Sequence, residues 1–393
     1  MAQGFDPAAA TAAYLSALTP EQHARAMAYT QGGHWLLLWS ALVTVAAAWV
    51  ILRSRLLTRV GGADRAARPW RATALVFVVY SLADAALSLP WTIYAGWWRE
   101  KAYGLTSQPF AGWLGEWGLN LAISLVMMTV LASLLYALVR RAPKTWWLWS
   151  GGLTIVAFLF VMAVAPVVIQ PLFNAYTPAP PGEARDAIVA MAKANGVPSD
   201  KIYVFNGSKQ SNRYTANVAG LFGTARVAMS DTMFAKGADL AEVKGVVGHE
   251  MGHYVLNHVI LSSVARGFLA LIAFFLIDRL YPASARWMGA KGVGPLSDPA
   301  GLPVVMSVMT VLVLAGTPLT NAITRTMEAQ ADQFSLERVN EPDGLSKALV
   351  KTIEYRAATP SRLEELLFYD HPSVGARVRR AMDWKAGHPK TAP

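Results

Sequence analysis

Cysteine is absent from this 393-residue chain, which excludes disulfides and thiolate metal ligands and leaves the redox compartment unreadable. Charge is scarce as well. Only 15% of the residues are Asp, Glu, Lys or Arg, against about 25% in an average soluble domain, while 54% are hydrophobic and the mean hydropathy is +0.32. That balance excludes an ordinary water-soluble domain. The first ~30 residues contain no basic stretch followed by an apolar core, so no cleavable signal peptide is expected. Internal repeats and low-complexity segments are lacking too.

What the chain does have is a set of long apolar runs. Six are long enough to span a bilayer, at residues 35–52, 72–94, 119–139, 146–172, 259–280 and 302–323. Aromatic residues gather at their ends, as in Trp97–Trp98 and in Trp146, Trp147 and Trp149, the pattern of an interfacial belt. The net charge of +10 does not point to nucleic acid, because the arginines sit beside the runs. Arg53, Arg55, Arg59, Arg65, Arg68 and Arg71 fall in one loop and Arg140 and Arg141 in another, as topology signals do. The bilayer is therefore a partner and nucleic acid is not.

Between residues 174 and 245 the pattern changes. The Pro-rich "YTPAPPGE" breaks the last run, helical periodicity follows in Ala187, Ile188, Met191 and Ala192, and "GVP" at 196–198 stops it. "KIYVFNGS" and "ARVAMSDTM" read as short strands. The chain after residue 324 is polar and helical again. The expected organisation is a membrane part at 1–172, a soluble unit at 173–258 ending in a motif helix, two further spans at 259–323, and the remainder of the soluble unit at 324–393.

The chemistry lies in "HEMGH", residues 249–253. At 3.6 residues per turn His249 and His253 project from one helix face and reach one metal, and Glu250 lies where a general base can act on water. The run 241–258 has no Pro and follows Asp239, a candidate cap. A third His in HExxHxxGxxH is excluded, because Leu256 and Val259 occupy those positions; His258 falls one residue short and reads as a solvated or interfacial histidine. An intramembrane Asp ligand is excluded as well, since the one Asp-Gly pair, at 343–344, sits in polar sequence. "RTMEAQADQFSLE" offers Glu328 and Asp332 four apart on one helical face. Glu328 can close a His2Glu site with a fourth position open, and Asp332 can accept the free ring N–H of a ligand histidine.

These motifs resemble those of the type I CAAX prenyl endopeptidases, integral-membrane zinc metalloproteases. "SLPWTIY", "QPLFNAYTP", "FNGSKQS", "VVGHEMGH", "EAQAD" and "DHPSVGAR" follow that family's order from about residue 80 onward. The resemblance implies one zinc per chain held by His249, His253 and Glu328, with Glu250 as base and acid. It also implies that His371 stabilises the oxyanion and that Arg377 is a supporting ion-pair partner. It places a substrate-receiving edge strand near 211–220, giving Asn212, Arg213, Tyr214 and Thr215 as substrate-binding candidates. Arg213 stands where the family has Ala, a departure that bears on side-chain recognition rather than on backbone pairing. The family's seven spans ring a hydrated chamber; six are counted here, and Asp84, Asn120 and Arg266 inside the runs are expected to face the interior or each other.

The resulting expectation is a mainly α, polytopic membrane bundle, enclosing a chamber, with a small α+β zincin-type protease unit. It would be an integral-membrane zinc metalloendopeptidase acting on membrane-associated or prenylated polypeptides. Two alternatives stay open: a catalytically silent scaffold or chaperone-like protein, and a transporter or channel lined by Asp84, Asn120 and Arg266. Four preceding spans put the protease unit on the side of the N-terminus. The family resemblance makes that side cytoplasmic, in the cell (inner) membrane, whereas the arginine loops argue the reverse.

Overall fold

The computed structural model describes residues 5–62, 67–213, 215–221 and 223–388. The expected candidate Tyr214 lies outside the described residues. Helix α1 is Pro7–Leu15, and α2, Pro20–Ser54, opens with a capping box from Thr19 and Gln22. A short α3, Leu56–Gly61, precedes α4, Pro69–Ile93, which continues through a π-turn at Tyr94–Trp98 to Ala102. Next come α5, Phe110–Arg141, and α6, Trp146–Val164, which runs through a second π-turn at Ala165–Ile169 to Phe173. Pro90 lies one turn before the first irregularity and Pro166 inside the second, where a missing backbone N–H loosens the ladder.

The soluble block contributes β1 (Tyr176–Pro178), α7 (Glu183–Ala194), β2 (Ile202–Phe205), β3 (Ala216–Ala219), β4 (Arg226–Ser230), α8 (Asp231–Ala235) and α9 (Leu240–Val255). Then follow α10 (His258–Trp287), α11 (Leu302–Val339), α12 (Pro342–Lys351), α13 (Arg362–Phe368) and α14 (Val374–Gly387). The sheet order is β1-β2-β4-β3, with β2 and β4 parallel and the two outer pairings antiparallel. Strand β3 is thus an edge strand, paired through Ala216↔Met229 to Ala219↔Arg226.

Six helical stretches have the length and hydropathy of membrane spans: Pro20–Ser54, Pro69–Ala102, Phe110–Arg141, Trp146–Phe173, His258–Trp287 and Pro299–Val339. Only 6% of the apolar window in the fourth is buried within the protein, so its Val156, Phe160 and Val167 need an apolar environment that only lipid provides. Each helix outruns the apolar run within it. The boundary expected at 323/324 falls inside α11, one continuous 38-residue helix that leaves the bilayer and carries Glu328 into the soluble unit. Its far end, and α9, α12 and α14, form the core of that unit.

The amino-terminal residues, read as membrane part, also join the soluble unit. Ala26 is buried with Leu345, Leu349 and Val378, and Ala10, Tyr14 and Leu15 pack on the same cluster. Tyr14 donates to Asp343 Oδ1 at 2.8 Å. Asp84 and Asn120 line one cavity of about 390 Å³ between α4 and α5, as polar groups inside a span should. Arg266 does not join them; it is exposed on α10 and does not line that cavity.

Candidate metal centre and active site

Helix α9 starts where Asp239 Oδ1 accepts from the Glu242 backbone N–H at 2.8 Å. Its buried face carries Gly245, Gly248 and Gly252, spaced three and four apart. A Cβ at Gly248 would lie 2.5 Å from Val339 Cγ2, and one at Gly252 would lie 3.1 Å from the Ala331 Cα. These glycines let α9 approach α11 and α12 closely, and Ser335 Oγ of α11 donates to the Gly245 carbonyl across the contact (2.8 Å). His249 and His253, on the adjoining face, are thereby brought against Glu328.

Three side chains converge. His249 Nε2 lies 3.2 Å from His253 Nε2 and 3.2 Å from Glu328 Oε2, and His253 Nε2 lies 3.3 Å from Glu328 Oε1. Ligands about 2.05 Å from a tetrahedral zinc are about 3.3 Å apart, so the tripod has the dimensions the ion requires. Buried Glu328 Oε2 has no hydrogen-bond partner, an expensive arrangement unless a cation sits there. The residues fit a metal.

The outer ring nitrogens fix the tautomers. His249 Nδ1 donates to Asp332 Oδ1 at 2.9 Å, which leaves its Nε2 lone pair for a metal. Arg377 holds that carboxylate in a fork, Nε to Oδ2 at 2.8 Å and Nη2 to Oδ1 at 2.7 Å, with both side chains buried. Behind His253 stands His258, contrary to the solvated role expected of it. Helix α9 stops at Val255, and Asn257 takes a left-handed conformation (φ 56°) that starts α10 and folds His258 back onto the site, 3% exposed. His258 Nε2 donates to Gln330 Oε1 (3.0 Å), so its Nδ1 accepts from His253 Nδ1 (2.9 Å), which again leaves Nε2 for the metal. The five-residue spacing from His253 to His258 was the available signal, but the turn between them was not.

Glu250 is half-buried and lines a cavity of about 170 Å³ together with Thr215, His249, Glu328, His371 and Arg377. Desolvation raises its pKa, with the neighbouring imidazoles opposing, a shift that suits a general base. Burial disfavours the His249 imidazolium, but the Asp332 and Glu328 carboxylates outweigh it and lift the pKa to about 9 in the metal-free site. His371 Nε2 faces Glu328 Oε2 at 3.3 Å, and its Nδ1 meets Asp370 Oδ1 at 2.8 Å. Burial lowers the His371 pKa, the Asp370 bond opposing.

The structure therefore brings Glu250, His249, His253, Glu328, Asp332, His371, Arg377 and Thr215 together. Asn212 and Arg213 go elsewhere. Asn212 donates to the Gly104 carbonyl (2.9 Å), and Arg213 is committed to Glu100 (2.6 Å) and to the Tyr29 hydroxyl (2.8 Å). They tether the segment before β3 to α2 and to the end of α4.

The family model for Peptidase family M48 matches residues 178–385, and that for the CAAX prenyl protease N-terminal region with five membrane helices matches residues 8–175. An uncharacterized metalloprotease of Bacillus subtilis is 30% identical over 338 residues, covering 82% of this chain and 78% of that protein. CAAX prenyl protease 1 of Saccharomyces cerevisiae is 26% identical over 321 residues, covering 76% and 69%. The crystal structure of Ste24p from S. mikatae superposes with a TM-score of 0.76 at 22% identity, over 93% of this chain and 89% of that one.

Proposed function

Because this chain belongs to peptidase family M48 and is an integral-membrane metalloendopeptidase, we propose that its metal is zinc, held by His249, His253 and Glu328, and that it cleaves membrane-associated polypeptides, prenylated carboxyl termini among them. The observation that carries this reading is the tripod with Glu250 in the same cavity. The silent-scaffold and transporter readings lack support at that point, because ligands, base and histidine are all in place.

When bound, zinc acts as a Lewis acid toward the scissile carbonyl and acidifies water. Glu250 takes the proton from the attacking water and returns it to the leaving amine. Substrate backbone adds to the free edge of β3, whose Thr215–Ala216 end opens on the catalytic cavity. His371 steadies the developing oxyanion. With Asp370 accepting from Nδ1, its Nε2 donates only when both ring nitrogens carry protons, so the imidazolium is the working form. Asp332 and Arg377 hold the His249 ring in register without touching the substrate.

The test is cleavage of a prenylated peptide and its unprenylated counterpart by purified protein with measured metal content. About one zinc per chain and turnover abolished by chelation are expected; full turnover by metal-free protein overturns the reading. We further place the protein in the cell membrane with its protease face cytoplasmic, supported by the family resemblance against the arginine count. The cysteine-free chain allows single-cysteine labelling of intact cells. An impermeant thiol reagent should modify Lys144→Cys and spare Ser208→Cys; the reverse pattern puts the active site outside.

A further inference from the structure

Behind the catalytic cavity lies a second one, of about 300 Å³, between α2 and the chain from 355 to 374. The two share Tyr355, Arg356 and His371, so these three side chains form the wall between them. The second cavity is lined by aromatic and apolar groups, Tyr29, Leu37 and Phe368 among them, with a few charges. All but one of those charges are engaged. Asp370 accepts from His371, His34 Nδ1 is 3.5 Å from Glu364, and buried Arg99 bonds the Tyr29 carbonyl and stacks on the Tyr29 ring. The exception is half-buried Arg356. Among the described residues no carboxylate lies within 4.0 Å of its guanidinium; the Tyr355 ring is 5.6 Å away, and Asp370, bonded to His371, feels its charge from beyond ion-pair distance.

A guanidinium left unpaired in the wall beside a peptidase site is a receptor for an anion, and its planar fork matches a carboxylate. The direction of the edge strand says which carboxylate. A peptide added antiparallel to β3 runs from beside Ala219 toward Ala216, passes the tripod, and carries its C-terminal side on to His371 and Arg356. In the parallel direction the continuing N-terminal side of the substrate would reach the guanidinium and bring it no terminal carboxylate. Resting on the peptidase reading above, we propose that Arg356 and the cavity behind it form a subsite for a carboxylate on the C-terminal side of the scissile bond. Arg356 thereby sets a preference for bonds near a free C-terminus. The cavity has room for a short tail and not for a folded domain.

The probe is a dansylated octapeptide ending in S-farnesyl-Cys-Val-Leu-Ser, made as the free acid, as the C-terminal amide, and as the amide with the terminal Ser replaced by Asp. Binding is read by fluorescence on the zinc-loaded Glu250→Gln protein, so that no turnover intervenes. The acid should bind about ten- to hundredfold tighter than the amide, the scale of a hydrogen-bonded charge. Adding Arg356→Gln should erase that ratio with zinc content and thermal midpoint unchanged, and Arg356→Lys should restore part of it. If the Asp amide matches the acid, the subsite stands and takes a side-chain carboxylate; if it matches the plain amide, the subsite stands and takes the chain terminus. Equal binding of acid and amide, or equal weakening of both by Arg356→Gln, overturns the proposal. With Glu250 intact, cleavage without acid preference removes the subsite and keeps the peptidase, whereas acid-selective binding without cleavage does the opposite.

Discussion

Two helix crossings in this molecule are built around glycine, and they hold different things together. In the soluble unit, Gly245, Gly248 and Gly252 let α9 lie against α11 and α12; in the bilayer, Gly151 and Gly267 let α6 lie against α10. The first crossing is stitched by polar contacts: Ser335 to the Gly245 carbonyl, and His249, Asp332 and Arg377 in one buried network. The second is almost wholly apolar, with Leu271 and Ile155 filling the glycine sites and one Trp146–Asp278 bond (2.8 Å) near its end. Close approach serves chemistry in one place and cohesion in the other. Small residues permit it in both, but only the buried polar network makes the outcome sensitive to single atoms.

The largest effect expected is at Glu250. Glu250→Gln keeps the size and the metal ligands and removes the base, so kcat should fall about a hundred- to ten-thousandfold with zinc retained. Metal analysis beside steady-state kinetics checks this. Loss of zinc along with activity would mean that Glu250 also holds the crossing together, which would blur the contrast. His371→Ala comes next, with kcat down about a hundred- to thousandfold, the scale of one oxyanion donor, and zinc again unchanged. A change in KM alone would move His371 from oxyanion donor to substrate contact.

His258 sharpens the contrast at an intermediate scale. It touches no metal in the arrangement described, yet it fixes the tautomer of His253 through Gln330. His258→Ala should weaken zinc binding about ten- to hundredfold, read by competition with a chromophoric chelator, as outer hydrogen-bond partners of metal ligands typically do. Unchanged zinc affinity would leave His258 as a buried packing residue. Nothing in the sequence pattern distinguishes these outcomes, and that marks the limit of what the sequence carries here.

The spans, the motif helix, Glu328 and Asp332 were legible because each follows from composition or from helical periodicity within one segment. The short strands were readable for the same reason. What was not legible depends on where segments meet. The left-handed Asn257 that folds His258 inward is a local conformation with no spacing signature, since Asn occupies such positions only at times. The commitment of Arg213 to Glu100 and Tyr29 joins residues more than a hundred positions apart. The packing of α1 on α14 is likewise hidden, because it joins the two ends of the chain. Even the glycine stripe in α9, visible as "GVVGHEMG", says only that something comes close and not what.

The smallest effect expected belongs to the membrane crossing, and it is the one that separates the two regions most cleanly. A Cβ added at Gly267 would collide with Ile155 Cγ1 on α6, a branched side chain held on a neighbouring helix with little freedom to move aside. Gly267→Ala should therefore overpack the contact at a cost of about 1–3 kcal/mol, seen as a lower thermal midpoint in detergent. Because α10 begins at His258, one continuous helix links the strained crossing to the site. The crossing lies about two and a half turns along the helix from there, however, and the polar network at His258 is anchored on α11 through Gln330. Zinc affinity and KM should thus be unchanged in the variant. Adding Ile155→Ala removes the colliding carbon and leaves its Cβ at an ordinary 3.4 Å, so the double variant should regain part of the lost midpoint. A Gly267→Ala protein that keeps its midpoint but loses zinc would break the comparison, since it would show the bilayer crossing setting the geometry of the metal site rather than holding two helices together.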